Sequence, residues 1–243
     1  MVNDFFNTIK VPEFLQELFT KDDWYLIIAN FIKILNKRII AKTSLDINFN
    51  NVSKQRPVLH DKVYIGKNCV IAEYVVVEGP VFIGNNVEIG PGAYIRKGSI
   101  ICDNCSIGYA SEVKNSLMMD GSKVSNHVFL GDSIIGVNAR IGGHCETTNR
   151  RFDQQKIDFV YRTQKLYTGL NKLGLVLGEG SRLGGGVLTS PGTMIGKNSF
   201  VATNSYIDGF VEPNKFIKLV SQYKIVNNNF SSILKNSNLF DKT

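Results

Sequence analysis

Aliphatic side chains recur every six residues along the middle of this chain. Ile65, Ile71, Val77, Ile83, Ile89, Ile95, Ile101, Ile107, Val113 and Met119 form one unbroken file, and nine of the ten are Ile or Val. Helices repeat at 3.6 residues and strands at 2, so neither alone has a period of six. A coil with three flat sides does: each hexapeptide supplies one side and points one residue into a shared core. The pattern therefore predicts a mainly β fold, a parallel β-helix of hexapeptide repeats. Glycine follows the core residue at Gly66, Gly84, Gly90 and Gly108, where a corner with positive φ is easiest without a Cβ. After Met119 the phase slips. The core is poorly defined from Lys123 to Leu130, and the pattern resumes at Ile135-Gly136 and Ile141-Gly142.

Two segments break the period. Residues 1–45 carry a helical stripe at Trp24, Ile27, Ile28, Phe31, Ile34 and Leu35. Pro12 starts one short helix through Phe19, and Asp22 or Asp23 caps a second from Trp24 to Ile40. This N-terminal helical hairpin is expected to dock on the prism or a neighbour and to cover an end. Residues 146–174 form a loop carrying Arg150, Arg151, Lys156, Arg162, Lys165 and Lys172. Long loops inside a regular fold tend to be functional. The repeat returns at Leu177, Leu183, Thr189, Ile195, Val201 and Ile207. The domain reading is a hairpin over 1–45, a prism over 46–219 with that inserted loop, and a polar tail over 220–243.

Composition narrows the function classes. The net charge is +7, with basic residues scattered rather than clustered. That favours phosphorylated small molecules over a nucleic-acid polymer. The apolar runs are far too short to span a membrane, and polar residues interrupt any leader pattern at the N-terminus. A cytoplasmic location is the expectation. Cys102 and Cys105 spell C-x-x-C, but Cys69 and Cys105 fall in a second inward file with Val63, Val75, Val81, Val87 and Ala93. Small core filler is the reading, and with no second C-x-x-C no metal is expected. Asp120 and Asp132 read as isolated turn residues. Only three histidines exist, His60, His127 and His144, so the search for a general base is short.

The stretch GYASEVKNSLMMDGSKVSNHVFLGDSIIGVNARIGGHCETTN, residues 108–149, resembles the acetyltransferase domain of the sugar-1-phosphate enzymes that make UDP-N-acetylglucosamine. The likeness runs from about Pro12 to Leu219 and includes NRRFD and YTGLNKLGLVLGEG. It implies a left-handed β-helix, assembly as a homotrimer, and acetyl-CoA (or another acyl-CoA) lying between adjacent prisms. It also implies transfer of an acyl group to an amino-sugar phosphate or nucleotide sugar, in amino-sugar and cell-envelope precursor metabolism. By the same resemblance Arg96 binds phosphate, Lys114 and Asn149 bind the acceptor sugar, and Gly143 meets the thioester. Gly185 and Thr203 line the pantetheine track, and Lys172, Arg182 and Lys197 are candidates for the CoA phosphates.

The chain departs from that pattern at the base. In GSKVSNHVFLGD the family histidine position reads Asn126, and His127 follows it. Adjacent side chains of an extended chain point to opposite faces, so His127 reaches the site only if the slip absorbs a residue. Phe129 replaces a tyrosine, and Arg140 replaces an asparagine near the sugar. Two readings follow. Either His127 is the base, or the site is remodelled. A remodelled site would use His144 or another acceptor, or only bind a sugar nucleotide or a partner enzyme.

Overall fold

The computed structural model describes residues 1–38, except 8 and 22, and residues 56–220. From Val58 to Ile217 the chain winds as a left-handed parallel β-helix. Three parallel sheets, each of eight strands among the described residues, form the sides of a triangular prism. Face I begins at Val58–Leu59, face II at Val63–Ile65 and face III at Val70–Ile71, and every later coil visits them in that order.

The file at period six is the core. Ile65 through Val113 are buried inside the prism, together with Leu177, Leu183, Thr189, Ile195, Val201 and Ile207. The tenth member is corrected. Met118, not Met119, pairs with Ile101 and joins the inner cluster. The register shows why. Tyr94 pairs with Glu112, eighteen residues on, but Glu112 pairs with Phe129, only seventeen on. The missing residue lies at the corner between faces I and II. Asn115 and Ser116 span what Lys97, Gly98 and Ser99 span one coil earlier, and Asp132 and Ser133 repeat the short corner. Asn115 and Asp132 tighten it by adopting φ of +46° and +48°. A one-residue slip inside a strand would turn its core residues outward. Placed in a corner, it leaves Val124, Leu130, Ile135 and Ile141 buried.

The glycines after the core file also differ from expectation. Gly66, Gly84, Gly90 and Gly108 are not the residues with positive φ; that falls to Asn68, Asn86 and Asn104 at the corner between faces II and III, and to Gly92 and Ala110 at the corner between faces III and I. The glycines are needed for close stacking. A Cβ on Gly66 would lie 2.6 Å from the backbone of Gly84, and one on Gly90 would lie 2.9 Å from the Tyr109 nitrogen. Asparagine tolerates the left-handed region better than other side chains do. Here it also ladders from coil to coil, Asn68 donating to Asn86 and Asn86 to Asn104.

The N-terminal segment lies along the flank of the prism, not over an end. The outward residues of face II are apolar in every coil: Tyr64, Phe82, Ile100, Leu117, Ile134, Val176, Met194 and Phe210. Phe5, Phe6, Leu15, Phe19, Trp24, Ile28, Phe31 and Leu35 pack on them as a second core. The predicted second helix is half 3₁₀, over Trp24–Asn30, and half α, over Phe31–Arg38. At three residues per turn, Tyr25, Ile28 and Phe31 share one column, which buries Tyr25 along with the expected stripe, of which Ile34 alone is only partly buried. Asp23 makes no side-chain cap hydrogen bond; Asp22, Ile40 and the tail beyond 220 lie outside the described residues.

The inserted segment leaves the prism after the strand Glu146–Thr147 and returns at Leu175–Leu177. Between them it forms an antiparallel hairpin, Ile157–Tyr161 with Gln164–Leu170. Ile157 and Phe159 are buried in the second core, where Phe159 meets Tyr25 edge-on at 5.1 Å. Tyr161 and Arg162 hydrogen-bond to the Asp4 carboxylate. All four cysteines are free and buried; Cys69, Cys105 and Cys145 donate to backbone carbonyls as core filler. Burial pushes the Cys105 thiol up to about 12. No described helix is long and apolar enough to cross a membrane.

Candidate active site

The residues singled out by the sequence fall into three places on the prism. The first is the corner between faces III and I. His127 sits there with φ of +55° and His144 with φ of +58°, one coil apart. Their rings stack at 5.0 Å with 16° between planes, and Tyr109 meets His127 edge-on at 5.1 Å. Neither imidazole has a hydrogen-bond partner among the described residues. Strand alternation does not govern this pair of positions, because Asn126 and His127 are corner residues. Both are exposed. The Asn126 side-chain oxygen is already engaged, accepting from the Tyr109 N–H at 2.9 Å. His127 is the member of the pair with free ring nitrogens.

Small residues stack beside this column. The backbones of Asn126, Gly143, Gly185 and Thr203 sit one above the next along the prism axis, locked by the N–H of His144, Gly186 and Asn204 donating to the carbonyls of Asn126, Gly143 and Gly185. A Cβ on Gly143 would lie 3.3 Å from the Asn126 carbonyl oxygen, and one on Gly185 would lie 3.2 Å from that of Gly143. The N–H of Gly143 makes no hydrogen bond within the described chain. The corner thus carries imidazoles, a free amide and then a track of little side-chain bulk.

The second place is the corner between faces I and II. Asp132 is 4% exposed and is the hub of a polar cluster. Lys114 donates to it at 3.0 Å, Asn115 at 2.7 Å and Asn149 at 2.6 Å. The reading of Asp132 as an isolated turn residue is therefore corrected. Lys114 lies eighteen residues before it, one residue more than the seventeen-residue coil at this point, a spacing legible only once the coil length is known. The cluster also pins both ends of the insertion, since Leu173 N–H donates to the Asn149 carbonyl and Gly174 N–H to that of Asp132. The Lys114 ammonium, helped by partial burial, holds Lys172 below the usual lysine value. On face I between the two corners lie Phe129 and Arg96. Arg96 hydrogen-bonds Glu112 at 2.6 Å and approaches Glu78 at 4.0 Å, so two carboxylates already neutralise it.

The third place is the flat of face III. Its outward row runs Glu88, Ser106, Lys123, Arg140, Arg182, Phe200 and Phe216 in successive coils. A shallow groove of about 520 Å³ lies over Glu88, Ser106, Lys123, Asn126 and Arg140. Arg140 and Asn126 thus share a groove, whereas Lys114 and Asn149 are at the far edge of face I. Lys197 is drawn away to Asn7. Among the described residues, no group of three or more His, Cys, Asp or Glu side chains is placed to hold a metal ion.

Residues 77–226 match the model of the GMPPB C-terminal domain. The chain is 33% identical over 119 residues to the Bifunctional protein GlmU of Methanococcus aeolicus, covering 49% of this chain and 29% of that protein. It is 33% identical over 102 residues to the putative uncharacterized acetyltransferase YaiX of Escherichia coli K12, covering 42% and 44%. It thus spans less than half the length of either relative. Among solved structures, a serine-to-alanine mutant of AntD, an N-acyltransferase from Bacillus cereus, aligns with a TM-score of 0.41 at 13% identity, over 72% of this chain and 89% of that one. With more than half its length matched, the chain belongs to the family of the GMPPB C-terminal domain, and it is a hexapeptide-repeat protein resembling GlmU.

Proposed function

We propose that the chain is an acyl-CoA-dependent acyltransferase acting on an amino-sugar phosphate or nucleotide sugar, in the cytoplasm and as a homotrimer. One observation carries this reading: an exposed histidine with free ring nitrogens stands at the end of a track of small residues on a prism corner. In this reading His127 accepts the proton of the acceptor amine as that nitrogen attacks the thioester carbonyl. The free N–H of Gly143 faces the oxygen that becomes negative. Collapse expels the thiolate, and His127 returns the proton to sulfur, so the imidazole ends as it began. Gly143, Gly185 and Thr203 provide the path for the pantetheine arm. Lys114, Asn149 and Phe129 face the acceptor, Lys114 trading part of its pairing with Asp132 for a phosphate. The trimer is needed because a flat-sided corner is only half a groove, and a neighbouring prism supplies the other wall.

The relatives named GlmU and acetyltransferase YaiX support the reaction class. The test is thiol release from acetyl-CoA with glucosamine 1-phosphate and with amino-sugar nucleotides as acceptors. Acceptor-dependent release that falls at least about 100-fold in His127→Ala, and much less in His144→Ala, is the expected result. Loss in His144→Ala alone moves the base one coil up. The absence of both thiol release and CoA binding removes the reaction and leaves a binding role.

A further inference from the structure

The outward row of face III contains an electrostatic conflict. Lys123, Arg140 and Arg182 are direct neighbours in adjacent coils. All three are exposed, and among the described residues none has a carboxylate partner. Like charges directly opposite in a sheet destabilise it. On face I the like-charged neighbours are each paired with a carboxylate: Arg96 sits directly opposite Lys114, but Arg96 holds Glu112 at 2.6 Å and Lys114 holds Asp132 at 3.0 Å. On face III the nearest acidic member of the row, Glu88, is separated from Lys123 by Ser106. Above the cations the row turns aromatic. Arg182 lies 6.0 Å from the Phe200 ring centre, and Phe216 follows in the next coil. Phe200 and Phe216 are 45% and 60% exposed.

We infer that this row is a nucleoside diphosphate site, with the diphosphate over Lys123, Arg140 and Arg182 and the base toward Phe200 and Phe216. Neighbouring strands are about 4.8 Å apart. Three flexible cationic side chains in file can converge on a diphosphate, which offers each of them non-bridging oxygens, whereas a monophosphate offers fewer oxygens and less charge. Arginine's planar fork suits phosphate oxygens, and an exposed phenyl ring offers a planar base a stacking surface. The groove places Asn126 beside Arg140 and so brings this row to the edge of the histidine corner. The ligand's role rests on the transfer reading above. Two sources share its chemistry: a nucleotide-sugar acceptor and the ADP portion of CoA.

Calorimetric titration of the full chain at low salt tests the row with no reaction required. Inorganic pyrophosphate is expected to bind at least about tenfold more tightly than orthophosphate, and Arg140→Gln to weaken it at least about tenfold without lowering the melting temperature. Phe200→Ala is expected to leave pyrophosphate binding intact and to weaken UDP or ADP. UDP-sugar binding that depends on Arg140 while CoA binding does not identifies the acceptor as the source, and the converse identifies CoA. Equal affinity for orthophosphate and pyrophosphate, or unchanged pyrophosphate affinity in Arg140→Gln, overturns the inference. Arg140-dependent pyrophosphate binding without any thiol release leaves this site standing and removes only the transferase reading. Thiol release with no Arg140 dependence of pyrophosphate binding does the opposite.

Discussion

Faces II and III are built on one inner file and differ only in what points outward. In the same coils, face II presents Leu117, Ile134 and Val176, all at most 1% exposed, and face III presents exposed Lys123, Arg140 and Arg182. The first row is roofed by the N-terminal segment and the inserted hairpin. The second is uncovered within the described chain. A hexapeptide fixes its core with one or two of its six positions, so the outward positions are free to assign each side a separate task. Face II holds the molecule's own appendages, and face III holds charge available to a ligand.

The largest expected effect breaks that contrast directly. Ile134→Asp places a carboxylate in the second core with no partner and should cost more than about 4 kcal/mol. Lys123→Asp, on the other face, should stay within about 0.5 kcal/mol. Chemical denaturation of both variants measures the difference, and similar losses would mean that face II is not covered as described. Next, Asp132→Ala removes the acceptor shared by Lys114, Asn115 and Asn149 and should cost about 3 kcal/mol. Amide exchange should then rise from residue 148 into the insertion, because Asn149 at its start loses its side-chain anchor, while face III stays protected.

A smaller effect is expected at the corner between faces II and III. Asn104→Ala puts a Cβ residue without a local hydrogen bond at φ of +59°, at a cost of about 1–2 kcal/mol. Asn104→Gly should cost less, which separates the backbone term from the side-chain ladder. The smallest effect depends on pH. Burial by itself would raise the Asp4 carboxyl, but the Tyr161 hydroxyl and the Arg162 guanidinium outweigh it and hold its pKa below 3.8. A depressed folded pKa means the contribution is present above the unfolded value and is lost as pH falls through the folded one. The contact between hairpin and N-terminal segment should therefore weaken only below about pH 4. Arg162→Gln should shift that weakening upward, as read by tyrosine fluorescence against pH.

The regular part of this molecule was legible because one residue in six had no freedom. Ile65 through Val113 predict the prism, its core and the inward place of Cys69 and Cys105. What escaped was set by contacts between coils. The slip reads as following Met119, yet it lies at Asn115, because corner length shows only in the pairing of coils. Asp132 was legible as a turn residue, but its role as a hub needs Lys114 and Asn149, eighteen residues before and seventeen after it. The positive φ was assigned to glycines whose actual constraint is the backbone of the next coil, 2.6 to 2.9 Å from where a Cβ would stand. The resemblance supplied His127 and Asn126 but not which of them is available. That followed from the hydrogen bond between Asn126 and Tyr109.

A crystal structure with CoA bound tests the central claim most directly. The account predicts the sulfur at the corner between faces III and I, with a His127 ring nitrogen and the Gly143 N–H turned toward it and the pantetheine arm passing Gly185 and Thr203. A sulfur lying against another corner, or beside His144 with His127 turned away, would contradict it.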